Sequence, residues 1–89
     1  MKHKDLYEAI LKLETLEDCH DFFEDIATKK EINDFSERLK VAKHLLDGET
    51  YETITKKTNV SSATIARVNR SISYGTGGYQ RIIERTKKD

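Results

Sequence analysis

The chain contains no proline, and its apolar residues recur at the spacing of an α-helix along most of its 89 residues. Proline interrupts helices more strongly than any other residue, so only glycines, capping residues and polar turns can end the helices here. The clearest breaks are Gly48 and the run Gly75-Thr76-Gly77-Gly78. These features predict an all-α fold of about six helices.

Three helices are predicted before Gly48. The first has an apolar face around Ile10, and the second is expected to begin at Thr15, because Thr15 and Asp18 have the spacing of a capping box. The third, from about Glu31 to Leu46, should be central to the core, and Gly48 follows where a left-handed residue would stop it. Its wide apolar stripe consists of Phe35, Leu39, Val41, Ala42, Leu45 and Leu46.

Shorter helices are predicted after Gly48. They cover residues 51–57, about 62–73 and 79–87, and the glycine run at 75–78 is expected to form a loop, because three glycines in four residues leave too much backbone freedom for a helix. A chain of this length has room for one domain. Within it we expect residues 1–48 to supply dimerisation and core helices, 50–73 a helix-turn-helix, and 79–87 a C-terminal helix.

The two halves of the chain differ in charge, although the formal net charge is zero. Up to Gly48 there are eight Lys or Arg against twelve Asp or Glu, and from Glu49 onward the counts are eight and four. No acidic residue lies between Thr53 and Ile83. A local cationic stretch is what phosphate binding requires, so the second half is the expected nucleic-acid side.

The stretch from Ile54 to Arg67 fits the helix-turn-helix pattern. Apolar residues fall where contacts hold the two helices at their crossing angle. Asn59 occupies the turn position usually given to glycine, and asparagine tolerates the positive φ expected there. Ser61 is placed to cap the second helix. The apolar contact positions are Ile54, Val60, Ile65 and Val68.

The outward face of this second helix predicts how it reads DNA. Small residues at its N-terminal end allow a close approach to base edges in the major groove, and arginines can pair with guanine or phosphate. Arg70 is the foremost candidate for such a contact. Lysines on the preceding helix and the N-terminus of the second helix should contact the DNA backbone. The predicted DNA-binding residues are Lys56, Lys57, Ser61, Ser62, Ala63, Thr64, Ala66, Arg67 and Arg70.

From about Ala27 to Ile72 the sequence resembles the Trp repressor superfamily, and over its whole length the Trp-repressor-related YerC/YecD type. This resemblance implies an intertwined helical homodimer whose two recognition helices lie about one DNA turn apart, roughly 34 Å, on a palindromic site. The residues that carry it are Phe35-Ser36-Glu37-Arg38-Leu39, Leu45-Leu46-Asp47-Gly48-Glu49, Ala63-Thr64-Ile65-Ala66-Arg67 and Tyr74-Gly75-Thr76-Gly77-Gly78-Tyr79.

The resemblance also implies an effector pocket. Arg38 and Arg67 match two arginines that surround tryptophan in Trp repressors, and Thr28 and Ser71 match two polar positions. Val68, however, stands where those repressors have the glycine on which the indole ring packs, and branched bulk there should obstruct a flat ligand. A small-molecule effector is therefore left open, and tryptophan is not expected. The alternative for the two arginines is a pair of salt bridges, for example with Glu31 or Asp34.

Other functional classes are disfavoured by the residues present. Cys19 and His20 lack the further ligands that a metal site needs, so a buried cysteine is expected. The glycine run lacks the Lys-Ser or Lys-Thr ending of a phosphate-binding loop, and no nucleophile with an adjacent base is evident, so no enzyme is predicted. A single cysteine, no signal peptide and no apolar run of membrane-spanning length favour a cytoplasmic protein.

Two functions remain after these exclusions. The first is a sequence-specific regulator that binds double-stranded DNA as a dimer and acts as a repressor. The second is a helical adaptor whose acidic N-terminal half binds another protein and whose helix-turn-helix no longer reads DNA.

Overall fold

The computed structural model describes residues 1–88, and these form six α-helices and no strand. The fold class predicted from the sequence is therefore confirmed. Two compact units divide the described chain, the first spanning Met1–Ile32 and the second beginning at Asn33. The helices are α1 (Lys4–Leu11), α2 (Leu16–Ile26), α3 (Lys29–Leu46), α4 (Tyr51–Thr58), α5 (Ser62–Tyr74) and α6 (Gly78–Lys87).

The first unit contains α1, α2 and the start of α3. The hydroxyl of Thr15 accepts a hydrogen bond from the amide of Asp18 at 3.0 Å, as expected for a cap, while the Asp18 carboxylate accepts from the amide of Glu14 at 3.1 Å. Phe22 and Phe23 meet edge to face, with ring centroids 5.6 Å apart. No residue of α1 or α2 is buried, and each helix has exposed apolar side chains, among them Leu6, Leu11 and Leu16.

The third helix begins two residues earlier than expected. Thr28 caps it: its hydroxyl accepts from the amide of Glu31 at 3.1 Å, and its own amide donates to the Glu31 carboxylate at 2.9 Å. This reciprocal pair is a capping box, which places Glu31 inside the first turn rather than at the start. At the other end, Gly48 has φ 85°, so the predicted left-handed stop is confirmed.

The core of the second unit is formed by parts of α3, α4, α5 and α6. The prediction that the whole stripe of α3 is central is wrong in part, because Phe35, Leu39 and Leu46 are 48%, 38% and 37% exposed. The stripe is wider than the surface that the rest of this unit covers. The buried side chains are Val41, Ala42, Ile54, Val60, Ile65, Val68 and Ile83.

The last two helices differ slightly from the prediction. Helix α5 extends to Tyr74, and α6 begins at Gly78 rather than at residue 79. The loop prediction was wrong for Gly78 because Gly77 alone supplies the turn: it has φ 84°, and its carbonyl accepts from the amide of Arg81 at 3.1 Å. Across residues 1–88, no helix is both long and apolar enough to cross a membrane.

Candidate nucleic-acid interface

The turn between α4 and α5 is built around Asn59. Asn59 has φ 60°, so the predicted left-handed turn residue is confirmed. The hydroxyl of Thr58 donates to the carbonyl of Ile54 at 2.7 Å and accepts from the amide of Val60 at 3.2 Å. The second bond gives the Val60 amide, which lies beyond the end of α4, a partner, and both bonds help to fix the corner between the two helices.

Helix α5 begins with a defined cap. The side chain of Ser61 accepts a hydrogen bond from the amide of Thr64 at 3.3 Å, and its hydroxyl also lies 3.2 Å from the Thr64 hydroxyl. The capping role predicted for Ser61 is therefore confirmed. The amides of the first turn that the cap leaves unpaired, together with the helix dipole, make this end attractive to phosphate oxygen.

One face of α5 is buried and the opposite face is open. Ile65 and Val68 are fully buried against the core, and Ile54 of α4 is buried with them. Helix α5 contains no acidic residue. The predicted inward and outward faces are confirmed, whereas contact of the outward residues with DNA stays a prediction. The exposed residues of that face are Ser62, Ala63, Ala66, Arg67 and Arg70.

The cations of this region fall into two groups. Within residues 1–88, Arg67 and Arg70 form no ion pair and no side-chain hydrogen bond. By contrast, Lys56 lies 3.3 Å from the carboxylate of Glu52, and Lys57 lies 2.5 Å from that of Glu49. The acid-free stretch of the sequence is therefore not acid-free in space, because both carboxylates come from just upstream of it. Of these four cations, the two without an acidic partner among residues 1–88 are therefore the arginines of α5.

The four residues assigned to an effector pocket have separate surroundings. Arg38 donates from Nε to the backbone carbonyl of Asp34 at 3.4 Å and lies over the Phe35 ring at 5.2 Å. Thr28 is the cap of α3 described above. Ser71 lines a cleft of 590 Å³. Val68 is 1% exposed, so its branched side chain is part of the core and not of an open pocket floor.

The cleft at Ser71 is mostly apolar and lies where α3, the end of α5 and the start of α6 meet. Neither Arg38 nor Arg67 is among its lining residues. This cleft is therefore not a pocket formed jointly by the four predicted residues. The cleft is lined by Leu39, Ser71, Gly75, Thr76, Gly78, Tyr79 and Ile82.

Sequence reasoning missed a network of polar side chains beside the helix-turn-helix. The carboxylate of Glu49 contacts both His44 of α3 and Lys57 of α4. Lys57 and His44 together hold the pKa of Glu49 below its ordinary value, with the hydrogen bond from Lys57 as the largest cause. The signal was weak, because His44 and Glu49 are brought together only by the reversal of the chain at Gly48.

The remaining candidate chemistry is limited. Cys19 is half-buried, not fully buried as expected. Among residues 1–88 no three His, Cys, Asp or Glu side chains converge on a point where a metal ion could lie.

Comparison with known proteins agrees with this architecture. The family model described as Trp repressor protein matches residues 2–87. The uncharacterized protein YerC of Bacillus subtilis is 42% identical over 83 residues, which are 93% of this chain and 80% of that protein. The crystal structure of a TrpR-like protein from Eubacterium eligens is 49% identical, with a TM-score of 0.90 over 94% of this chain and 87% of that one. A Trp repressor candidate from Staphylococcus aureus is 44% identical, with a TM-score of 0.89 over 96% and 85% of the respective chains.

A capped, positively charged helix-turn-helix in an all-helical chain is the architecture of a class of DNA-binding regulators. More closely, this chain belongs to the Trp repressor family, so the resemblance inferred from the sequence is confirmed. The family comprises regulators and not enzymes.

Proposed function

We propose that this chain is a transcriptional repressor that binds a palindromic duplex DNA site as a homodimer, with α5 in the major groove. One observation carries the proposal: the exposed face of α5 bears two arginines without partners among the described residues, and the helix holds no acidic residue. A desolvated interface with DNA would repel any carboxylate placed there, and this face has none.

Each residue of the face has a proposed role. Ser62, Ala63 and Ala66 are small enough to let the helix backbone approach the base edges, where water or short side chains make the contacts. Arg70 is proposed to pair with a base or a phosphate, and Arg67 with a neighbouring phosphate. Phosphate contacts are also proposed for the helix N-terminus near Ser61 and Thr64, and for Lys56 and Lys57 of α4.

A second copy of the chain is the proposed partner of the N-terminal helices. Neither α1 nor α2 buries a residue, and a helix with an apolar stripe normally buries it. A small domain can supplement a thin core by association. The exposed large apolar side chains of this unit are Met1, Leu6, Tyr7, Leu11, Leu16 and Ile26.

The same exposed faces favour the second candidate, a helical adaptor that binds a different protein through α1 and α2. The adaptor would not need duplex DNA, and its helix-turn-helix would be an inherited scaffold. Duplex binding and oligomeric state separate the two candidates.

We further propose that tryptophan does not control this protein. The buried position of Val68 supports this, because the side chain fills space that a flat ring would need. A different small effector remains compatible with the proposal. As a repressor of chromosomal DNA, the protein would act in the cytoplasm.

The deciding experiment is selection of bound sequences from a random duplex pool by the full chain, followed by titration of the selected duplex. Binding should weaken steeply with salt, because each neutralised phosphate releases counterions. Arg70→Ala should weaken it by about 1–3 kcal/mol. Arg85→Ala is the matched control, since Arg85 is an exposed arginine of α6 outside the helix-turn-helix, and it should change binding far less. Failure to retain any duplex at low salt would contradict the proposal.

A further inference from the structure

The carboxylate of Glu49 joins the last turn of α3 to the last turn of α4. Its Oε1 accepts a hydrogen bond from Nζ of Lys57 at 2.5 Å, and its Oε2 contacts Nδ1 of His44. The side chains of Glu49 and His44 are 20% and 28% exposed, whereas that of Lys57 is 55% exposed. A carboxylate that is mostly covered thus has two donors, one of which extends to the surface.

Lys57 has a particular place in the helix-turn-helix. It is the penultimate residue of α4, followed by Thr58 and the turn residue Asn59, and it stands close in the chain to the capped start of α5. A lysine here is suited to contact a phosphate, but its charge is offset by Glu49. How strongly the lysine is held by Glu49 therefore affects what it offers to DNA.

We propose that Glu49 is a positioning residue for DNA binding. One of its carboxylate oxygens contacts His44 and the other contacts Lys57, so that protonation of His44 frees Lys57 for a phosphate. This inference rests on the proposed function. When His44 is neutral, its Nδ1–H donates a weak hydrogen bond and Lys57 is the only cation on the carboxylate. Once His44 is protonated, it competes for Glu49 as a second cation and adds one positive charge near the interface.

The other charged groups of α3, α4 and α6 do not take the place of His44 or Lys57 on the Glu49 carboxylate. Helix α3 also carries Lys40 and Lys43 in its last two turns, and Asp47 follows the helix. Asp47 lies 3.5 Å from Lys87 of α6. On α4, Lys56 is paired with Glu52. Within this set of groups, His44 is the only histidine.

The test is the affinity of the full chain for a fluorescein-labelled random duplex pool, about two helical turns long, measured by anisotropy at about pH 6 and pH 8. Phosphate contacts are independent of sequence, so the pool is a sufficient probe. The wild type should bind more tightly at the lower pH, by about threefold to tenfold, with a salt dependence steeper by about one phosphate.

Substitutions test whether the pH response of DNA binding comes from His44, Glu49 and Lys57. His44→Gln should abolish the pH response. Glu49→Gln should bind more tightly than the wild type at pH 8 and respond less to pH. Lys57→Ala should bind more weakly, and Glu49→Gln should bring no gain in that background. A purely structural role of Glu49 would weaken binding at both pH values and leave the pH response intact.

Two controls are available in the same chain. His20→Gln removes a histidine that contacts Asp21 and Glu24 on exposed α2, and it should leave the pH response unchanged. Glu52→Gln breaks the ion pair of Lys56, in which no histidine takes part, and should also preserve that response. If Glu49→Gln fails to fold, His44→Gln alone decides the matter.

The outcomes separate the two proposals. If the wild type binds the pool and the pH response survives in His44→Gln, or is absent from the wild type, the role of Glu49 is wrong and DNA binding stands. If no duplex is bound at either pH at low salt, the proposed function itself fails, and this inference fails with it.

Discussion

The amide of Gly75 donates to the carbonyl oxygen of Ser71 at 2.9 Å, and a β-carbon at position 75 would lie 2.3 Å from that same oxygen. Such a contact is far inside van der Waals distance and involves backbone, so the end of α5 would have to move. Gly75→Ala should therefore lower the free energy of unfolding by about 1–3 kcal/mol, as overpacking does. Chemical denaturation followed by circular dichroism measures the difference.

Gly78→Ala is the matched control for this substitution. Gly78 begins α6, and the nearest atom to an added β-carbon is 4.0 Å away, so the alanine meets no obstacle. Its effect should be within about 0.5 kcal/mol of zero, or slightly stabilising. Equal stability of Gly75→Ala and the wild type would show that α5 can end differently.

Local signals in the sequence predicted the fold and the shape of the interface well. The cap at Ser61, the left-handed Asn59 and the stop at Gly48 each depend on a few adjacent residues, and periodicity placed Ile65 and Val68 inward. Burial along α3 was harder to predict, because it depends on which part of a wide apolar stripe other helices cover. Phe35 and Ala42 lie seven residues apart on the same stripe of α3, yet Phe35 is 48% exposed and Ala42 is buried, so tertiary surroundings decide their burial.

The partners of several polar side chains were the other part that the sequence analysis missed. Glu49 precedes the acid-free stretch, yet it pairs with Lys57 eight positions later, across the length of α4. Glu52 and Lys56 are an i,i+4 pair on the same helix, which helical spacing alone would have indicated. Thr28 was assigned to an effector pocket through its matched position, whereas its hydrogen bonds are those of a helix cap. Thr28 and Glu31 have the spacing of a capping box, so this role depends on adjacent residues and was missed in the sequence.

Thr28 should matter to stability even without any effector. Because its hydroxyl caps α3 through the amide of Glu31, Thr28→Ala should cost about 0.5–2 kcal/mol of unfolding free energy. Thr28→Ser retains the cap and serves as the control, with a loss near zero. Thermal denaturation of the ligand-free protein checks both variants. An unchanged stability of Thr28→Ala would mean that the cap contributes nothing.

Acid should destabilise the protein partly through Glu49. Its pKa lies below the ordinary 4.5 in the folded chain, because of Lys57 first and His44 second. A carboxyl whose pKa is lowered by folding stabilises the protein above its unfolded pKa and loses that contribution as pH falls through the folded value. The loss should thus begin below about pH 5 and be smaller in Glu49→Gln. Urea unfolding across that range tests this, with Glu52→Gln as the comparison.

Tryptophan should leave the thermal unfolding curve unchanged. A ligand present at one hundred times its Kd would add about 2.7 kcal/mol of stability, which is a shift of many degrees for a domain of this size. Buried Val68 leads us to expect no shift from the free amino acid. Differential scanning fluorimetry with tryptophan provides the measurement. A shift of several degrees that disappears in Arg38→Ala would establish the pocket that we argue against.

The open faces of α1 and α2 should be the site of self-association. Leu16 is 90% exposed in the single chain, and a charge placed there would have to be buried in a dimer that uses this face. Leu16→Glu should weaken dimerisation by at least about tenfold, corresponding to 1.4 kcal/mol. Sedimentation velocity over a concentration series measures this, with Lys12→Glu, a change of charge at another exposed position, as the control. A wild type that is a folded monomer at micromolar concentration would exclude the dimer, and a dimer unaffected by Leu16→Glu would place the interface elsewhere.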